Sequence, residues 1–130
     1  MSKVLNNSSK LLKIKGLYGG YNGEAIIRDC NLEILEREIV VIMGGSGSGK
    51  STFLKHLIGL KQPMDGVVEL VGNSLYSGAE SERLKLLKKI GVSFQSGALL
   101  SSLTVMENVA LPLVEHTDLD QETIEFMVRM

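Results

Sequence analysis

At 130 residues with 44% apolar content, the chain is one domain or part of one, with enough apolar side chains to bury a core. A net charge of −1 provides no global field to attract nucleic acid, so no nucleic-acid partner is expected, and the single cysteine, Cys30, excludes an internal disulfide and fits a reducing compartment. No apolar run approaches the roughly 20 residues of a membrane span. Residues 1–10 are polar and lack the apolar core of a secretory signal.

Residues 1–10 read as a flexible lead-in to a folded stretch over 11–130. Leu11-Leu12-Lys13-Ile14-Lys15 alternates after Leu12, the period of a strand. Gly16, Gly19, Gly20 and Asn22-Gly23 are turn signals around Tyr18 and Tyr21. Residues 25–27 are a candidate short strand. Cys30, Leu32 and Ile34 alternate with Asn31, Glu33 and Leu35 as a half-buried one. Glu36-Arg37-Glu38 is a charged turn, so an antiparallel β layer is expected ahead of residue 39.

Ile39-Val40-Val41-Ile42-Met43 is a short apolar run, mostly β-branched, which predicts a buried strand. It leads into Gly44-Gly45-Ser46-Gly47-Ser48-Gly49-Lys50-Ser51, which fits G-x-x-x-x-G-K-[ST], the phosphate-binding P-loop pattern. Phe53, Leu54, Leu57 and Ile58 then fall on one face of a helix over 50–58, with Gly59 placed to end it. Strand, loop and helix are the context this pattern requires. A loop that wraps phosphates must aim several backbone N–H groups inward, in conformations and at distances that side chains would block; hence the glycines. The following helix aims its free N–H groups and positive dipole end at the same place. Lys50 adds a full charge for the β- and γ-phosphates, the Ser51 hydroxyl suits Mg²⁺, and Thr52 can reach the α-phosphate.

Downstream, Gln62-Pro63-Met64-Asp65-Gly66 is a turn and 67–71 a strand closed by Gly72-Asn73. Residues 81–89 are a helix candidate capped by Ser81, with Leu84, Leu87 and Lys88 along one side. Ile90-Gly91-Val92-Ser93-Phe94 alternates as a strand ending at Gln95, and 96–102 is a loop of small residues. Residues 105–114 are broadly apolar, and Pro112 predicts that a helix there ends or kinks near 111. Residues 118–130 predict a helix capped by Asp118 or Asp120, with Ile124, Met127 and Val128 on one face. The sequence stops inside that pattern, which reads as an incomplete domain.

Tyr21 lies 29 positions before Lys50, Gln95 follows a strand downstream, and Gly59-Leu60-Lys61-Gln62-Pro63-Met64-Asp65-Gly66 lies between them. This arrangement resembles the N-terminal half of the ATP-binding domain of ABC transporters, over about residues 11–130. The implied fold is α/β, a P-loop NTPase with an N-terminal antiparallel β layer, the P-loop core and the start of a helical subdomain. The stretch from Ile90 to Leu100 and Thr104-Val105-Met106-Glu107-Asn108-Val109-Ala110-Leu111-Pro112-Leu113 are most similar to the lipid-trafficking, Mce-associated branch. The resemblance implies that Tyr21 stacks on adenine, with Tyr18 its competitor. It implies that Gly44, Gly45, Ser46, Gly47, Ser48, Gly49, Lys50, Ser51 and Thr52 hold ATP, and that Ser51 and Gln95 contact Mg²⁺ or the attacking water. An amide suits that task, since it offers oxygen to a metal and N–H to a neighbour. Residues 96–104 would help dock an integral-membrane permease, a second ATP-binding subunit would complete a homodimer, and the protein would sit on the cytoplasmic face of the membrane through its permease.

Three of the family's elements are absent from these 130 residues: the Leu-Ser-Gly-Gly-Gln signature, the strand ending in Asp followed by a catalytic Glu, and the switch histidine. His56 and His116 read as solvated or helix-side histidines. Arg37 stands where the family usually has Gly, and Gly45 where Pro is frequent. Two other readings stay open. One is a small kinase or GTPase, although 43 residues precede the loop and no Asn-Lys-x-Asp motif is present. The other is a truncated module that binds nucleotide or partners without turnover.

Overall fold

The computed structural model describes residues 10–95 and 97–130. They divide into two compact units, one ending at Ile90 and one spanning Gly91–Met130. The expected lead-in lies outside the described residues, except that Lys10 already belongs to the first strand.

The first unit opens with a hairpin of two 12-residue strands, β1 (Lys10–Tyr21) and β2 (Glu24–Leu35). Its loop is Asn22-Gly23, with φ of 51° and 82°. A two-residue hairpin loop that twists with its strands needs positive φ twice, and Asn-Gly supplies both at low cost. Gly16, Gly19 and Gly20 are not turns, as their composition suggests, but irregularities within one continuous strand: the β1–β2 register shifts between Ile14 and Leu17, between Leu17 and Gly19, and between Gly19 and Gly20. Gly16 has φ +54°. The extra residue moves the inward phase, so Leu12 and Ile14 are buried before it and Leu17 after it. The two strand segments expected over 25–34 are likewise a single strand.

β3 (Asp65–Leu70) pairs antiparallel with β1, setting Leu12 opposite Leu70 and Ile14 opposite Val68. β4 (Asn73–Ser74) completes a sheet in the order β2-β1-β3-β4. Across one face lie α1 (Lys50–Leu57) and α2 (Glu80–Leu87). Leu12, Ile14, Leu17, Val68, Leu70 and Leu75 meet Phe53 and Leu57 of α1 and Leu86 of α2 in the core, each burial contributing about 1.5–3 kcal/mol. The inward face of α1 is Thr52, Phe53, His56 and Leu57, rotated from the expected one, because Leu54 is exposed. α2 is capped at Ala79, two residues before the expected Ser81 cap, and buries Leu86 rather than Leu84. Gly59, at φ +76°, ends α1 in the left-handed conformation, and the Leu60 N–H reaches back to the Lys55 carbonyl at 2.9 Å.

Residues 39–43, expected as a buried strand, have no strand partner among the described residues. Ile39 is 91% and Met43 86% exposed. Residues 90–94 are also unpaired. An apolar β-branched run becomes a buried strand only where flanking strands supply a ladder, and β1 to β4 close their own sheet without it.

In the second unit α3 (Val105–His116) and α4 (Gln121–Arg129) pack together, with Ile124 buried. α3 continues through Pro112 rather than ending near 111. Both its ends are secured. Thr104 and Glu107 form a reciprocal capping box, and the Thr117 N–H and hydroxyl both donate to the Leu113 carbonyl, at 3.1 and 2.6 Å. Asn108 ties the preceding loop to the helix: it accepts from the Leu100 N–H at 2.8 Å and donates to the Leu103 and Thr104 carbonyls. Asp120, one of two cap candidates, accepts from the Thr123 N–H at 2.9 Å. Met127 is exposed, unlike its expected neighbours on the apolar face.

Candidate functional site

The loop at 44–49 is positioned from its helical end. Phe53 and Leu57 anchor α1 in the core, and Gly49 enters the helix at φ +91°. A Cβ on Gly49 would come within 2.8 Å of Ile26 Cγ2, so close approach to β2 and backbone conformation both demand glycine there. Gly47 is also left-handed, at φ +78°, whereas a Cβ on Gly45 would meet nothing within 4 Å.

The N–H groups of Gly47, Gly49, Lys50, Ser51 and Thr52 have no protein acceptor among the described residues. They form a cluster of free donors at the positive end of the α1 dipole. The Lys50 ammonium donates to the Gly44 and Gly45 carbonyls, at 2.6 and 2.5 Å, and to the Ser48 hydroxyl at 3.3 Å. The one full charge of the loop is thus folded onto the loop's own carbonyls. Ser51 is exposed and Thr52 is buried.

Tyr21, at the end of β1, stands beside this helix. The Thr52 side chain above all holds its phenol below the ordinary pKa; desolvation opposes this, and hydrogen bonding by Lys55 and the charges of Lys55 and Lys61 add to the lowering. The Lys61 ammonium lies 4.2 Å from the centre of the Tyr21 ring. Tyr18 instead pairs with Asp65 across β3. Tyr21 is therefore the tyrosine brought together with the loop helix. Gln95 is exposed, in a turn of the second unit that the Gly97 N–H closes onto the Phe94 carbonyl at 2.9 Å. Ser96, the first residue of the expected docking loop, lies outside the described residues.

Composition did not reveal two residues near the site. His56, read as solvated or helix-side, is fully buried on the inward face of α1, and a Cβ on Gly19 would overlap its ring. Its Nδ1 lies 2.7 Å from the Lys61 carbonyl, to which it donates, and the Tyr76 hydroxyl reaches the carbonyls of His56 and Lys61 at 2.5 and 2.7 Å. The signal for His56 was its place between Phe53 and Leu57 on the inward face. Lys61 had no such signal. His116 is exposed in the last turn of α3, as expected.

Among the described residues no cluster of three His, Cys, Asp or Glu could hold a metal alone. The donor chemistry fits Mg²⁺ arriving with a phosphate ligand: the exposed Ser51 hydroxyl is a hard oxygen donor at the mouth of the N–H cluster, and phosphate oxygens would supply the remaining ligands. No described helix is long and apolar enough to cross a membrane.

The family profile described as ABC transporter matches residues 27–130. The chain is 37% identical over 117 residues to the probable ribonucleotide transport ATP-binding protein mkl of Mycobacterium leprae, covering 90% of this chain and 34% of that protein. It is 40% identical over 109 residues to the methionine import ATP-binding protein MetN of Campylobacter jejuni, covering 82% of this chain and 32% of the relative. It is 33% identical over 123 residues to the intermembrane phospholipid transport system ATP-binding protein MlaF of Haemophilus influenzae, covering 95% and 47%. The chain thus spans a third to a half of these relatives. Among solved structures, a dimeric post-hydrolysis ATP-binding cassette, MJ0796, bound to ADP and Pi matches with a TM-score of 0.79 and 34% identity, over 91% of this chain and 54% of that one. The profile match runs from within β2 through α4 and includes the loop and all four helices, and the chain belongs to the ABC transporter family.

Proposed function

We propose that the chain binds ATP as the ATP-binding part of an ABC transporter ATPase. The cluster of free N–H groups at Gly47, Gly49, Lys50, Ser51 and Thr52 carries this reading. A triphosphate would accept from these donors and draw the Lys50 ammonium off the Gly44 and Gly45 carbonyls, exchanging charge–dipole contacts for charge–charge ones. Gly44, Gly45, Ser46 and Ser48 complete the cradle, and Tyr21 offers its ring to the base. Ser51 and the phosphate oxygens would hold Mg²⁺, which would supply charge neutralisation and Lewis acidity.

Calorimetric titration of the chain with MgATP tests this. Lys50→Ala should weaken binding by at least about tenfold, the loss of one charge-assisted contact. Equal affinity in parent and variant would overturn the reading.

In the whole protein the bound ATP would be hydrolysed to drive transport by a membrane permease, with two ATP-binding subunits working together at the cytoplasmic face. A phospholipid-type substrate is favoured by the stretch from Ile90 to Leu113 and by MlaF, the relative above that covers the most of this chain. Substrate-stimulated ATP turnover of the whole transporter in liposomes, compared for phospholipid and methionine, separates this from the import reading that MetN suggests.

A further inference from the structure

We propose that Lys61 is a specificity-determining residue of the nucleotide site: its ammonium occupies one face of the Tyr21 ring, so that the base stacks on the other. This rests on the reading of Tyr21 as the base platform. The geometry is specific. The Lys61 ammonium stands 4.2 Å from the ring centre, within cation–π range. Its backbone is held on both sides. The Lys61 N–H donates to the Lys55 carbonyl at 3.1 Å, and its carbonyl accepts from His56 Nδ1 and from the Tyr76 hydroxyl, each at 2.7 Å. His56 is fully buried, its ring filling the space that a Cβ on Gly19 would take. This part-buried clasp thus fixes where the half-buried Lys61 stem leaves the backbone.

Two consequences follow from the chemistry. A cation on one face draws π density toward itself and leaves the opposite face poorer, which favours an electron-rich purine there. It also restrains an otherwise exposed ring, so less freedom is lost when the base stacks. Lys61 acts on the base, whereas Lys50 acts on the phosphates.

The test uses the 130-residue chain and two probes, MgATP and magnesium tripolyphosphate, which has phosphates but no base. Lys61→Met keeps the stem and removes the charge; Lys61→Arg keeps a cation that stacks on aromatic faces. Lys61→Met should weaken MgATP binding by about two- to fivefold, the range of an exposed cation–π contact. Lys61→Arg should preserve it, and tripolyphosphate affinity should not follow the Lys61→Met loss. Unchanged or tighter MgATP binding in Lys61→Met overturns the proposal, since the ammonium would then be idle or competing with the base. A loss shared equally by tripolyphosphate also overturns it, as a plain charge effect. Tyr21→Ser separates the two layers. If it leaves MgATP affinity intact, the platform reading fails and Lys61 falls with it. If it weakens MgATP while Lys61→Met does not, the platform stands and only the role of Lys61 is refuted.

Discussion

Gly19 and His56 fit together as a gap and the ring that fills it: the imidazole lies fully buried where any Cβ on Gly19 would stand. One residue belongs to β1 and the other to α1, so this contact sets how closely the loop helix approaches the sheet. Gly19→Ala should destabilise the first unit by about 1–3 kcal/mol, the cost of overpacking. Adding His56→Ala should restore part of it, giving a non-additive cycle. The chain has no tryptophan, and its three tyrosines, Tyr18, Tyr21 and Tyr76, all lie in the first unit, so tyrosine emission during urea unfolding reads that unit alone. Additive losses would show that the two residues do not share the space.

That contact also marks the limit of what the sequence alone reveals. Gly44 to Thr52, the Asn22-Gly23 turn and the Gly59 helix stop were legible because each meets a local demand: free N–H groups, positive φ, a left-handed cap. The glycines of β1 follow a different logic. Gly16 shifts the strand phase and Gly19 admits a ring 37 positions away, and neither purpose differs locally from a turn. His56 and Lys61 were missed for the same reason, since their partners Gly19 and Tyr21 are distant in sequence. Residues 39–43 have the composition of a buried strand, but pairing depends on neighbours, and the described sheet provides none.

Arg37 sits at φ +65° in the turn after β2. A left-handed conformation costs a non-glycine residue roughly 1–2 kcal/mol, partly offset by the roughly 0.5–1 kcal/mol of extra chain entropy that glycine loses on folding. Arg37→Gly should therefore stabilise the first unit by about 0.5–1 kcal/mol, read as a higher urea midpoint. A lower midpoint would mean that the guanidinium makes a stabilising contact that outweighs the strain.

The two loop glycines at 45 and 49 should respond unequally to alanine. Gly45 has open space around its Cα, while Gly49 combines φ +91° with an approach to Ile26. Strain of this kind costs about 1–3 kcal/mol, and it would be relieved by distorting the loop. Gly49→Ala should then weaken MgATP binding by about tenfold or more, and Gly45→Ala by less than about twofold. Calorimetry on the two variants decides the matter, and similar losses in both would contradict the geometry.

Tyr76 makes the first unit sensitive to alkaline pH. Burial pushes its phenol up to about 12, with Arg83 opposing, and its hydroxyl proton is what the His56 and Lys61 carbonyls accept. The folded value lies above the ordinary 10.0 of an unfolded chain. The stabilisation is therefore complete below about pH 10 and falls away as pH rises toward 12. Urea midpoints measured across that window should drop more steeply for the parent than for Tyr76→Phe, which has no proton to lose. Tyr76→Phe should also be less stable at neutral pH by about 1–3 kcal/mol, because two carbonyls lose a donor. In a spectroscopic titration Tyr21, lowered by Thr52 and its lysines, should ionise before Tyr76. A coincident step for Tyr21 and Tyr76, assigned with Tyr21→Phe and Tyr76→Phe, would refute both assignments, and with them the buried setting of the hydroxyl that clasps the Lys61 carbonyl.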